Sequence, residues 1–155
     1  MKITLIVVDI RSPRWATEAS NDYLSRFPRD WKVDLKAVKE EPRRGQTREK
    51  LMAAEAERIR KSIPKGALLV TLDEHGKDLT TTAFAKQLDA WQSAGEQVAF
   101  VIGGTDGIDP ELKKESRLMI RISSMTLPHA LAKVLLCEQL YRAWSILNNH
   151  PYHRA

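Results

Sequence analysis

Apolar residues fall in short runs separated by longer stretches with a helical period. Ile3-Thr4-Leu5-Ile6-Val7-Val8 is an apolar, β-branched run, the pattern of a strand buried on both faces. Trp15, Ala19, Tyr23 and Phe27 recur at four-residue spacing and predict a helix that begins after Ser12-Pro13. Trp31, Val33 and Leu35 alternate with Lys32, Asp34 and Lys36, which predicts a strand with one wet face near a sheet edge. The charged, aperiodic stretch 40–46 reads as a loop. Met52, Ala56, Ile59 and Ile63 predict the buried stripe of a second helix, and Ala67 to Leu72 a third strand. Phe84, Leu88 and Trp91 mark a third helix, and Val98 to Ile102 a fourth strand. A short helix is expected from Asp109-Pro110, with Asp as cap and Pro in the first turn. Leu118 to Ile122 fits a fifth strand, and the last helix runs from about Pro128 to Leu147.

Strands alternating with helices through short connections predict an α/β fold with a largely parallel sheet. No linker or repeat divides the chain, so 1–155 reads as one domain. Ligands of such sheets gather beyond the carboxyl ends of the strands.

Composition narrows the function classes. No run approaches the ~20 apolar residues of a membrane span, and Ile3–Val8 is too short for a signal-peptide core. One cysteine, Cys137, excludes an intrachain disulfide framework and a thiolate-rich zinc site, which suits a cytoplasmic setting. Its apolar neighbours make it an inert core thiol. The net charge of +5 favours a polyanionic partner, and the positive excess sits toward the two ends of the chain.

Three segments carry candidate chemistry. In Val101-Ile102-Gly103-Gly104-Thr105-Asp106-Gly107, glycines after a buried strand let backbone N–H groups approach a ligand. An ordinary tight turn is the plain alternative, and neither the dinucleotide fingerprint nor the phosphate loop is met. In Ile122-Ser123-Ser124-Met125-Thr126-Leu127-Pro128-His129, small hydroxyl residues suit the start of a helix, or one wall of a pocket shared with the glycine turn. Last come Glu138 and Arg142, placed as an i,i+4 pair expected at the surface, and the tail His150-Pro151-Tyr152-His153-Arg154. That tail combines rings and cations without an acid, a composition that stacks on bases and neutralises phosphate. His150 and His153 have no acid or cysteine at metal-site spacing, so no metal is expected. Asp73-Glu74 reads as a solvated loop after the third strand.

Taken together, Ile102-Gly103-Gly104-x-x-Gly107, Met125-Thr126-Leu127-Pro128-His129, Glu138-Gln139-Leu140-Tyr141-Arg142-Ala143 and His150-Pro151-Tyr152-His153-Arg154 occur in an order and spacing that resembles one family. Tyr23-Leu24-x-Arg26-Phe27 and Thr71-Leu72-Asp73-x-x-Gly76-Lys77 extend the match nearly end to end. The family is that of the bacterial large-subunit ribosomal RNA pseudouridine N3-methyltransferases, minimal SPOUT enzymes. The resemblance implies an α/β knot, with a deep trefoil in the C-terminal half, and a homodimer with sites at the subunit interface. It implies S-adenosylmethionine as cofactor, and methylation of N3 of a pseudouridine in large-subunit (23S) rRNA within the assembled ribosome.

By position, the resemblance makes Leu72, Gly103, Gly104 and the run Ile122, Ser123, Ser124, Met125, Thr126, Leu127 the cofactor shell. Transfer from a sulfonium depends on positioning, and the N3 proton must be lost to a base or the anion stabilised by a donor. Arg142, His129, Tyr152 and His153 are the candidates, with Glu138 orienting Arg142 and the base among them open. Arg154 and Lys133 are the expected RNA contacts. Two positions depart from the family pattern: Asp9, where relatives usually carry glycine, and Lys133, where Arg is common. The alternative from another class is a non-catalytic RNA- or ribosome-binding α/β module. A flavodoxin-like oxidoreductase fits the element order alone, without its fingerprint.

Overall fold

The computed structural model describes residues 1–154. Five strands, β1 (Lys2–Asp9), β2 (Lys32–Lys39), β3 (Leu68–Asp78), β4 (Val98–Ile102) and β5 (Leu118–Arg121), alternate with five helices. These are α1 (Arg14–Ser25), α2 (Arg48–Ser62), α3 (Thr81–Ser93), α4 (Pro110–Lys114) and α5 (His129–Leu147). All neighbouring strands pair in parallel in the order β2-β1-β4-β3-β5. Every strand therefore ends on the same edge of the sheet, the edge on which the candidate loops lie.

The apolar runs are explained by burial on both faces. Ile3, Leu5, Val7, Val70, Phe100 and Ile102 point into one core with Leu88, Trp91, Leu136 and Leu140. Ile6, Val8, Leu69, Ala99 and Val101 point into the other with Ala56, Ile59 and Leu112. Helices α1, α3 and α5 cover the first face and α2 and α4 the second. β2 is an edge strand, as its alternation predicts, with only Val38 fully buried.

Four local expectations are corrected. Trp15 is exposed, and Ala16 and Ser20 carry the buried stripe of α1 instead. Spacing by four overshoots the 3.6-residue turn, so a residue three steps away rotates about 120° off the shared face. On α2, Leu51, Glu55, Ala56 and Ile59 are buried and Met52 is only partly covered. Asp109 precedes α4 without a side-chain cap bond, although Pro110 does occupy the first turn. β3 continues to Asp78: the chain bulges between Leu72 and Lys77, and both residues register with Ile120 of β5. Gly76 permits that return, because a Cβ there would stand 2.5 Å from the Ile120 backbone. Asp73 is consequently not in a solvated loop; its carboxylate is largely covered and pairs with Lys113 at 3.1 Å. Glu74 does remain exposed.

After β5, residues 122–128 return past the ends of β3 and β4 to α5, which packs on α1 and α3. No helix among the described residues is long and apolar enough to cross a membrane.

Candidate functional site

Beyond the ends of β3, β4 and β5 lies a cavity of about 560 Å³. That volume is within the usual range for a small-molecule site. Leu72, Ile102, Ile122 and Leu127 give it apolar walls, and Gly103 to Ile108 form one side. Ser123, Met125 and Thr126 line it as well, whereas Ser124 does not reach it. Arg48, Lys113 and Arg121 stand around it with Asp73, Glu74 and Asp106, a balanced set of charges that the sequence reading did not assemble. Its only sequence signal was Asp106, within the glycine turn.

The glycine turn is built from its own chain. The Gly107 N–H donates to the Gly104 carbonyl at 3.0 Å, and Gly107 takes φ +88°, a conformation few other residues adopt. A Cβ on Gly103 would meet Ile108 Cγ1 at 2.6 Å and the Gly107 carbonyl at 2.8 Å. Gly103 is thus required by the close return of the turn. On the facing wall, Ser123 Oγ accepts the Met125 N–H at 2.9 Å, and the Met125 side chain is 77 % exposed beside the cavity.

His129, at the first position of α5, lines the same cavity. Both ring nitrogens are buried without a hydrogen-bond partner. Burial lowers its pKa, the positive charge of Lys133 acts in the same direction, and Asp9, Glu40 and the nearby Gly103 backbone act against it. The surroundings therefore favour the neutral imidazole. Lys133 itself is buried, and its ammonium bonds Ser12 Oγ. It is not available on an open face as an RNA contact: four residues after His129, it points inward beside Ser12, where its charge acts on the histidine.

The second cluster lies elsewhere. Glu138 is buried, contrary to the expected surface pair, and gathers three partners. Arg142 Nε donates to its Oε1 at 2.7 Å, Gln139 Nε2 donates to its Oε2 at 2.8 Å, and the Tyr152 hydroxyl lies 3.1 Å from Oε1. The bond to Glu138 raises the Arg142 pKa, so the guanidinium is a fixed cation and not a base. Burial, then the contacts with Tyr23 and Glu138, raise the Tyr152 pKa, so its phenol stays protonated. The tail folds back on α5: Ser145 Oγ donates to the His150 carbonyl at 2.8 Å and lies 2.8 Å from His153 Nδ1. Tyr152 packs on Tyr141 at 4.8 Å between ring centroids, and Arg142 sits 5.0 Å over the Tyr152 ring. Arg154 is exposed, as an RNA contact requires.

Arg142 lies thirteen positions after His129 on α5, a rise of about 20 Å at 1.5 Å per residue. Within one chain, Arg142, Glu138, Tyr152 and His153 therefore do not line the cavity; of the expected catalytic set only His129 does. Cys137 is buried, with its thiol pushed up to about 11 by burial, as an inert core thiol should be. Among the described residues no group of three or more His, Cys, Asp or Glu could hold a metal ion.

Comparison with known proteins bears on this arrangement. Residues 1–153 match the family model described as "Predicted SPOUT methyltransferase". A protein of Acidovorax sp. (strain JS42) named "Ribosomal RNA large subunit methyltransferase H" is 54 % identical over 154 residues, 99 % of each chain. One of the same name from Burkholderia ambifaria (strain MC40-6) is 51 % identical over the full length of both. Among solved structures, a probable methylase family protein from Haemophilus influenzae Rd KW20 superposes with a TM-score of 0.62 at 14 % identity. That likeness covers 96 % of this chain and 69 % of the other, and speaks for the fold. With a parallel sheet whose strands end around a glycine-walled cavity, the chain belongs to the SPOUT methyltransferases and, within them, to the family of ribosomal RNA large subunit methyltransferase H.

Proposed function

We propose that this protein is an S-adenosylmethionine-dependent methyltransferase that acts on N3 of a pseudouridine in large-subunit rRNA within the assembled ribosome. The observation that carries the reading is the cavity itself: apolar walls, a glycine turn offering backbone groups, and a neutral histidine with both ring nitrogens unpartnered. Orphaned buried nitrogens in a cavity of this size suit a polar ligand, so the residues present fit the cofactor. Leu72, Ile102, Ile122 and Leu127 would hold an adenine between apolar faces, with Gly103, Gly104 and residues 123–127 providing backbone hydrogen bonds. When bound, the cofactor supplies an electrophilic methyl group on a sulfonium.

The chain's own residues divide the remaining work. His129, kept neutral by burial and by Lys133, takes the proton from N3 on a ring nitrogen. Arg142, fixed by Glu138, stabilises the negative charge that then develops on the imide. These two groups stand about 20 Å apart on one helix. The reading therefore includes a homodimer in which α5 and the tail of one subunit complete the cavity of the other, and the deep trefoil that the resemblance implies for the C-terminal half. Arg154 and the basic ends of the chain face rRNA phosphates.

The test is methyl transfer from radiolabelled S-adenosylmethionine to ribosomes lacking the modification, with mass-spectrometric mapping of the product nucleotide. Label on N3 of one pseudouridine of the large-subunit rRNA is the expected result. Ribosome binding without transfer would instead select the non-catalytic RNA-binding reading.

A further inference from the structure

Glu55 is a buried carboxylate that the proposed chemistry does not use. It lies on α2, behind the glycine turn, and is 7 % exposed. Its Oε2 accepts the backbone N–H of Glu41 at 3.0 Å. Its other oxygen faces Gly104: a Cβ on that glycine would stand 2.9 Å from Oε1 and 3.0 Å from Val8 Cγ1. One side chain thus touches both residues 40–47, the β2–α2 loop, and the turn 103–107.

Loop and turn meet a second time at Asp106. Arg43 pairs with its carboxylate, and Arg48 Nη2 donates to its carbonyl at 3.2 Å. From the same helix as Glu55, Arg58 donates to the Lys39 carbonyl at 3.0 Å and pairs with Glu41. The opposite side of the turn is the cavity wall. The turn is therefore clamped between the cavity and an anchored loop, with a buried carboxylate at the contact.

Fold stability alone does not call for a carboxylate here. Burying a charged group is costly, and the Glu41 N–H would be met as well by an uncharged acceptor. Burial raises the pKa of this carboxyl; the Glu41 N–H acts against that, Glu40 and Asp106 add to it, and Arg43 lowers it.

We infer that Glu55 is a positioning residue for the cofactor site, fixing Gly103–Gly107 against the 40–47 loop so that the turn's backbone stands at the cavity wall. The inference rests on the reading of that cavity as the S-adenosylmethionine site. Its effect would be on affinity, through the placement of backbone groups the cofactor meets.

The experiment is calorimetric titration of the full chain with S-adenosylmethionine, paired with thermal unfolding without ligand. Glu55→Gln retains the acceptor for the Glu41 N–H and is expected to bind within about threefold of the unaltered protein. Glu55→Met, which leaves the Glu41 N–H without its acceptor, should unfold a few degrees lower while staying folded at the temperature of titration, and bind at least tenfold more weakly. A Glu55→Met protein that binds normally overturns the inference and leaves the cavity reading standing. If the unaltered protein binds no S-adenosylmethionine, the cavity reading falls, and the inference with it. Should Glu55→Met fail to fold, Glu55→Ala, which removes the carboxylate without adding bulk, carries the same test. Affinity weakened tenfold supports the inference, and unchanged affinity overturns it.

Discussion

At the scale of single residues, the site depends on what its members cannot do. Gly103 has no space for even a methyl group, because the returning turn comes within 2.8 Å of a Cβ placed there. Gly103→Ala should therefore move the turn, and calorimetry should find S-adenosylmethionine affinity reduced tenfold or more with the fold intact. His129 offers a different handle. Its pKa in the folded chain is lowered below 6.5, so the native state favours the neutral ring. The associated stability is present above about 6.5 and is lost as pH falls through the lowered value. Urea midpoints of the unaltered protein should fall between pH 7 and pH 5, and His129→Asn should flatten part of that slope. An equal slope in both proteins would mean that the imidazole is as readily protonated folded as unfolded.

At the scale of elements, α5 joins the two clusters and fills the first core. Leu140 is fully buried on it, so Leu140→Ala should cost about 2–5 kcal/mol by chemical denaturation, from lost transfer energy and the cavity left behind. The elements themselves were largely legible in the chain, for reasons visible in particular residues. Val98–Ile102 reads as a buried strand because both faces of β4 are covered by helices. Trp31-Val33-Leu35 alternates because one face of this stretch is covered while Lys32, Asp34 and Lys36 are exposed on the other. What was not legible depends on contacts distant in sequence. Glu55 looks like any polar residue of a helix until Gly104, 49 positions later, is laid against it. The docking of the tail likewise depends on Ser145 taking hold of His150 and His153, an arrangement without a sequence period. The cavity wall was easier to anticipate, since the glycines after β4 and the segment 122–129 both stand out in the chain, and the structure brings them to one cavity.

At the scale of the whole molecule, a single copy holds the parts of the proposed site but not the site. If α5 and the tail of one subunit complete the cavity of the other, two inactive variants should complement each other. Arg142→Ala and Gly103→Arg proteins, each without transfer activity as homodimers, should recover about a quarter of the activity per assembled site after denaturation and refolding together at equal amounts, because half of the dimers are mixed and each mixed dimer holds one intact site. No recovery, with mixed dimers verified by native mass spectrometry, would place both groups in one subunit's site. The length of α5 has a further consequence for reaction order. On the proposed mechanism, a helix that holds His129 and Arg142 one rod-length apart prevents a lone chain from bringing them together, however fully it is loaded. Below the concentration at which copies pair, turnover should fall with the square of the amount of protein. Newly made chains would thus stay silent until enough of them had accumulated to meet.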